Sequence, residues 1–148
     1  MELKRLQQGD AELAQRAIDR FKIPSSDMRQ GPGLAYLSGF LQKPENVLIV
    51  ASDEGVPVGF VLAYLIDRVD RDNRMMLFYE IEVSANYRRR GIARSMVEML
   101  KSICMCENVF KMWVYTNRSN TAAVALYKAM SCIESAAGDE VSFTYYWG

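Results

Sequence analysis

The 148-residue sequence contains no histidine, which removes the usual imidazole base, the Ser/His and Cys/His nucleophile pairs and most transition-metal sites. Proton transfer then falls to Glu, Asp, Tyr, Lys, Cys or water. Cysteine is sparse: Cys104, Cys106 and Cys132 are an odd set, and Cys104-x-Cys106 lacks the two-residue spacer of common zinc and redox motifs. They read as buried or incidental thiols of a reduced, cytoplasmic protein with no metal site. The opening Met-Glu-Leu-Lys carries no apolar signal segment, in keeping with that compartment. The longest apolar run, residues 56–66, contains Pro57 and Gly59 and falls far short of the ~20 residues that span a bilayer. It reads as a core strand, so no membrane partner is expected. Net charge is missing too, with 18 basic residues against 18 acidic ones. That balance argues against a nucleic-acid partner held by bulk charge, and any anion site must be local.

Half of the residues are apolar, enough for one domain with a real core, and no repeat, low-complexity tract or linker divides residues 1–148. Residues 1–6 suit a short strand. A helix follows at Asp10, with Leu13, Ala14, Ala17, Ile18 and Phe21 at helical spacing, and Pro24 ends it. Residues 24–33 read as a loop, and Leu34, Leu37, Phe40 and Leu41 as a second short helix. Runs 46–52 and 57–66, separated by Asp53-Glu54-Gly55, form a hairpin, and a third strand follows at 75–84. A helix over about 91–105, a strand at 109–116, a helix over about 121–130 and β-like runs near Ile133 and at 141–147 complete the chain. The expected fold is α/β with a mixed sheet, an antiparallel N-terminal half and a βαβ C-terminal half.

The most informative stretch joins the third strand to the third helix through Arg88-Arg89-Arg90-Gly91-Ile92-Ala93. Ile92, Met96, Val97, Leu100 and Ile103 share one face of that helix, and Arg94, Ser95, Glu98 and Lys101 lie on the other. Between Asn86 and Lys101 there are five cations against one carboxylate, a local charge of +4. Cations at a helix N-terminus oppose the macrodipole, a placement that makes sense where a bound anion meets the free amides. No G-x-x-x-x-G-K-[ST] loop is present. On the third strand, alternation puts Leu77, Tyr79, Ile81 and Val83 on one face and Phe78, Glu80 and Glu82 on the other. Two carboxylates in one cleft repel, which raises the pKa of one toward that of a general base.

Arg88-x-x-Gly91-x-Ala93 resembles the Q/R-x-x-G-x-G/A signature of the GNAT N-acetyltransferase superfamily, and Asn120-Thr121-Ala122-Ala123-Val124-Ala125-Leu126-Tyr127 is similar to its N-x-x-A-x-x-L-Y signature. The order of elements agrees along nearly the whole chain. Within the superfamily, residues 59–64, 78–83 and 88–93 look most like the aminoglycoside 3-N-acetyltransferases. The sequence departs from the pattern at Ser131-Cys132, where the superfamily usually has Gly-Phe.

The resemblance implies a GNAT-like acyl-CoA N-acyltransferase fold with acetyl-CoA as co-substrate. Its pyrophosphate would lie on the turn formed by Arg88, Arg89, Arg90, Gly91, Ile92, Ala93 and Arg94, with a further contact from Asn120, which also suits a helix N-cap. Backbone amides of the strand carrying Ile81 and Val83 would hold the thioester carbonyl where that strand splays from its neighbour near Val83. The amine would attack directly, Glu80 accepting its proton and Tyr127 supplying one to the leaving thiolate. Glu82, Asp139 and Glu140 would draw a cationic small-molecule acceptor, with an aminoglycoside as first guess. The alternatives are a protein or metabolic amine, or a CoA-binding domain without turnover. Asp67, Asp70 and Asp72 could add negative charge but suit a solvated surface. Tyr145, Tyr146 and Trp147 could line a cleft, close the sheet or pair two copies as a homodimer.

Overall fold

Runs rich in Val, Ile and Phe between residues 46 and 83 pair side by side because short turns join them. In a computed structural model that describes residues 1–24, 30–134 and 141–147, β2 (Asn46–Asp53) and β3 (Val56–Asp67) are joined by Glu54 and Gly55. Their φ values of 49° and 78° are the left-handed pair that a two-residue hairpin demands. β1 (Glu2–Arg5) pairs antiparallel with β2, and β4 (Arg74–Val83) antiparallel with β3. β5 (Val109–Val114) runs parallel to β4, so the sheet order is β1-β2-β3-β4-β5. A parallel neighbour needs a crossover, which α3 (Ile92–Cys106) provides. The mixed α/β architecture agrees with the pattern of the sequence.

Period-two alternation divides the sheet into two apolar faces. Leu48, Val50 and Phe60 face α1 (Ala11–Phe21) and α2 (Leu34–Gln42), where they join Leu6, Ala14, Ala17, Leu37 and Leu41 in one buried cluster. Val47, Ile49, Val61 and Ala63 point the other way, toward α3, whose Ile92, Met96, Val97 and Leu100 are buried as their helical spacing requires. Gly59 marks a tight approach on this side. A Cβ there would lie 3.0 Å from the Glu82 carbonyl oxygen and 3.3 Å from the Met96 Cε.

The chain falls into two compact units, Met1–Tyr115 and Thr116–Gly148. The second contains α4 (Thr121–Ala129), whose N-cap Asn120 accepts a hydrogen bond from the Ala123 amide at 3.2 Å, as expected. Its C-terminus closes with Ser131 N–H on the Lys128 carbonyl (3.4 Å) and Cys132 N–H on the Tyr127 carbonyl (3.2 Å), the pair of bonds that defines a Schellman cap. The expected terminal strands are not formed: residues 132–134 and 141–147 are in no strand. Ile133, Val141, Phe143, Tyr145, Tyr146 and Trp147 are all exposed, and a β-rich run becomes a strand only against a hydrogen-bonding partner. Among the described residues, no helix is long and apolar enough to cross a membrane.

Candidate active site

The third strand supplies the main correction to the sequence reading. Along β4, Glu82 pairs with Phe60, Ile81 with Val61 and Glu80 with Leu62, but Ala63 pairs with Phe78, leaving Tyr79 as an extra residue. This β-bulge reverses the alternation. Glu80 and Glu82 do share a face, but Phe78 lies on the opposite one, with Ile81 and Val83 toward α3. Leu77 and Tyr79 join the two carboxylates on the face of Phe60, Leu62 and Tyr64. Strict alternation assumes one residue per rung, and the bulge breaks that assumption.

The partnership with β5 ends at the same point, where β5 itself stops at Val114. The parallel ladder runs from Arg74↔Val109 to Phe78↔Val114 and stops there, so the gap opens just after Phe78, five residues ahead of the expected point. Beyond it, residues 79–83 have β3 on one side and, among the described residues, no strand on the other. Backbone polar groups facing such a gap need another partner.

On the carboxylate face, aromatic rings and charges converge. The Tyr64 ring meets the edge of Tyr79 at 6.0 Å and that of Phe40 at 6.4 Å. Burial raises the pKa of the Tyr64 phenol, with contributions from Tyr79, Tyr36 and Glu80 and opposition from Lys22. Glu80 holds an ion pair absent from the sequence reading: Lys22, at the C-cap of α1, donates to both carboxylate oxygens at 2.6 and 2.8 Å. Glu82 is exposed, yet the protein packed around its carboxyl raises its pKa, Glu80 raises it further, and Lys22 and Arg88 oppose the rise. The more distant acids are neutralised locally: Asp67 pairs with Arg74 at 3.0 Å and Asp70 with Arg68 at 3.0 Å. Asp139 and Glu140 lie outside the described residues.

Just past β4, a 3-10 turn (Ala85–Tyr87) leads into the cationic turn. Arg88 Nε donates to the Val83 carbonyl at 3.2 Å, and the Arg90 guanidinium stacks 4.9 Å from the centre of the Tyr87 ring. Arg89 and Gly91 are both left-handed, with φ of 61° and 78°. For Arg89 that conformation costs about 1 kcal/mol. Gly91 is the N-cap of α3, and no side chain caps the helix. Its first rung is Ser95 N–H on the Gly91 carbonyl at 3.0 Å. The amides of Ile92, Ala93 and Arg94 precede that rung and have no helical carbonyl to bind. Open amides, a left-handed entry and exposed Arg89, Arg90 and Arg94 suit a phosphate-bearing ligand such as the expected acetyl-CoA. Arg20, which sequence reasoning missed, reaches Ser84 Oγ at 3.3 Å and adds a cation beside the turn.

In the second unit, Tyr127 is half-buried and its phenol pKa is raised by burial and by Cys132. Lys22 and Arg20 lie some sixty residues from their partners (58 and 64 respectively), and no local pattern signals such pairs. Of the three free cysteines, Cys104 is half-buried, and Cys106 and Cys132 are exposed.

A family model described as the acetyltransferase (GNAT) family matches residues 12–131. No curated protein matches the sequence significantly. Among solved structures, the chain resembles an aminoglycoside acetyltransferase from an uncultured soil metagenomic sample at 22% identity and a TM-score of 0.81, over 97% of this chain and 98% of that one. It also resembles the ribosomal-protein-alanine N-acetyltransferase of Brucella melitensis biovar Abortus 2308, at 21% identity and a TM-score of 0.71, over 99% and 100% of the two chains. A third similar structure is the aminoglycoside N-acetyltransferase AAC(6')-Iy in complex with CoA, at 19% identity and a TM-score of 0.74, over 98% and 93%. At these identities the likeness establishes a common fold.

Proposed function

Since the chain belongs to the acetyltransferase (GNAT) family, we propose that it moves acetyl from acetyl-CoA to a primary amine of a small polycation, an aminoglycoside or a compound like it. The observation that carries this reading is the pairing of Glu80 and Glu82 on one aromatic-lined face of β4, in the segment that has lost its β5 neighbour. The open backbone of residues 79–83, including Ile81 and Val83, suits a thioester and the oxyanion formed during acyl transfer. The carboxylates on the adjacent face suit a cationic amine. The turn from Arg88 to Arg94 would hold the pyrophosphate, with Asn120 as the further contact implied by the resemblance.

In this mechanism the amine attacks the thioester carbonyl directly, the carbonyl oxygen takes up negative charge, and collapse of the adduct expels the thiolate. One carboxylate removes the amine proton. Glu80 is the base implied by the resemblance, but its oxygens already carry the Lys22 ammonium. We therefore give the proton to Glu82, directly or through water, and the anchoring of a second cationic group to Glu80. This exchanges the roles expected from sequence. Tyr127 is the proton donor to the thiolate, on family likeness alone.

The deciding experiment is thiol release from acetyl-CoA across a panel of aminoglycosides, polyamines, simple monoamines and peptides. Turnover of the polycations supports the reading. Turnover confined to peptides moves the acceptor to a protein N-terminus or lysine; the Brucella protein of similar fold is named a ribosomal-protein-alanine N-acetyltransferase. Binding of acetyl-CoA without turnover of any amine makes the chain a CoA-binding domain.

A further inference from the structure

Lys22 transfers no proton in the chemistry described above, yet its Nζ lies 2.6 and 2.8 Å from the two Glu80 oxygens. It is anchored at the end of α1, where its own amide caps the helix on the Ile18 carbonyl at 2.8 Å. The Lys22 side chain keeps 40% of its exposure and that of Glu80 24%, so water reaches the pair and another cation can take its place. Two residues apart on one face, Glu80 and Glu82 are separated by about 6.5 to 7 Å along the strand. That spacing suits two amino groups on one short acceptor, one reacting at Glu82 and the other paired with Glu80.

We propose that Lys22 is a specificity-determining residue: its ammonium stands on Glu80 where an acceptor's second ammonium would bind, and a diamine must displace it to span Glu80 and Glu82. The inference rests on the amine-acetyltransferase reading given above. A monoamine needs only Glu82 and leaves the Lys22 pair intact. A diamine exchanges one ammonium for another at Glu80 and gains little from its second charge. Lys22 thus holds down the preference for diamines that the acid pair alone would give, and keeps Glu80 satisfied when no polycation is bound. Tyr64 and Tyr79, packed edge to face on the same side of the sheet as the pair, offer the released Lys22 stem and the acceptor an apolar wall.

The test compares wild type, Lys22→Gln and Lys22→Arg with butylamine and putrescine as acceptors at saturating acetyl-CoA, and measures putrescine binding to each by calorimetry. Freeing Glu80 in Lys22→Gln should lower the putrescine KM and Kd by about three- to fivefold, the range for a half-exposed ion pair, and change the butylamine KM by less than about twofold. Lys22→Arg, which keeps the cation, should behave as wild type. Equal shifts for the two amines, no shift, or weaker putrescine binding in Lys22→Gln would overturn the proposal. Absence of turnover with any amine in wild type would defeat the enzyme reading instead, and the putrescine Kd values would still decide the role of Lys22.

Discussion

The Tyr87 hydroxyl donates to Asp53 Oδ2 at 2.8 Å, tying the turn ahead of α3 to the β2–β3 hairpin thirty-four residues away. The hydrogen bond to Asp53, with burial and the Asp53 charge, keeps the phenol pKa above its ordinary value, against the opposing pull of Arg90 and Arg20. The Tyr87 ring also carries the Arg90 guanidinium. Tyr87→Phe keeps the stacking and loses the tie. It should raise the KM for acetyl-CoA about threefold with kcat nearly unchanged, a split readable from initial rates, because only positioning of the cofactor turn is disturbed.

The two carboxylates should separate by pH. Glu82 must be ionised to accept a proton, and burial together with Glu80 holds its pKa above the ordinary glutamate value. The acid limb of kcat/KM is therefore expected above that value, with activity falling as pH drops through it. Glu80→Gln should move the limb toward acid by removing a like charge, and Lys22→Gln should move it toward alkali by removing a cation; Arg88 remains as the other facing charge. Glu82→Gln should abolish the limb and most of the turnover. Ionised Glu82 disfavours the fold above its raised pKa, so Glu82→Gln should leave Tm unchanged or slightly higher.

Gly59 allows β3 to lie close to β4 at Glu82. In Gly59→Ala the new methyl would press on the Glu82 carbonyl oxygen at 3.0 Å and on Val83 Cγ2 at 3.4 Å. Backbone cannot yield as a flexible side chain does, so a loss of about 1 to 3 kcal/mol in urea unfolding is expected. Activity should fall further than stability, since the displaced strand carries both carboxylates.

Ser131 is the C′ residue of the Schellman cap on α4, with φ of 64°. A serine there meets the left-handed penalty that glycine avoids, partly offset by glycine's greater freedom in the unfolded chain. Ser131→Gly should stabilise the protein by about 0.5 to 1 kcal/mol, visible as a higher Tm, with kinetic constants unchanged.

That last position shows how a motif mismatch acquires physical meaning. The sequence marks Ser131 as standing where glycine is usual, and the backbone angle explains the preference. The α3 stripe and the Asn120 cap were equally legible, because each depends on residues within one or two turns. The β4 bulge was not, since Tyr79 looks like any alternating strand residue until its pairing with β3 is known. Lys22 on Glu80 was beyond reach for a different reason, being a contact between distant segments. The run from Val141 to Trp147 has the composition of a strand and no partner among the described residues, a reminder that β-propensity describes fit to a surface.

The interruption between β4 and β5 has a consequence for how the chain tolerates change. Its walls are amide and carbonyl groups of residues 79–83, whose geometry follows from one inserted residue and from the crossover that brings β5 alongside the first half of β4. A slot made of main chain carries no side-chain address. Ile81 and Val83 can drift among apolar residues that still pack toward α3, whereas Tyr79, though exposed, is held to aromatic residues by its edge contact with Tyr64. Deleting a paired residue such as Ile81 is a different matter: it would slip the strand by one rung against β3 and carry Glu82 onto the α3 side, whereas loss of the extra residue Tyr79 would leave Phe78 on Ala63 and Glu80 on Leu62. Mutational robustness in this strand should therefore be high for substitutions at the slot and almost nil for changes in length among the paired residues.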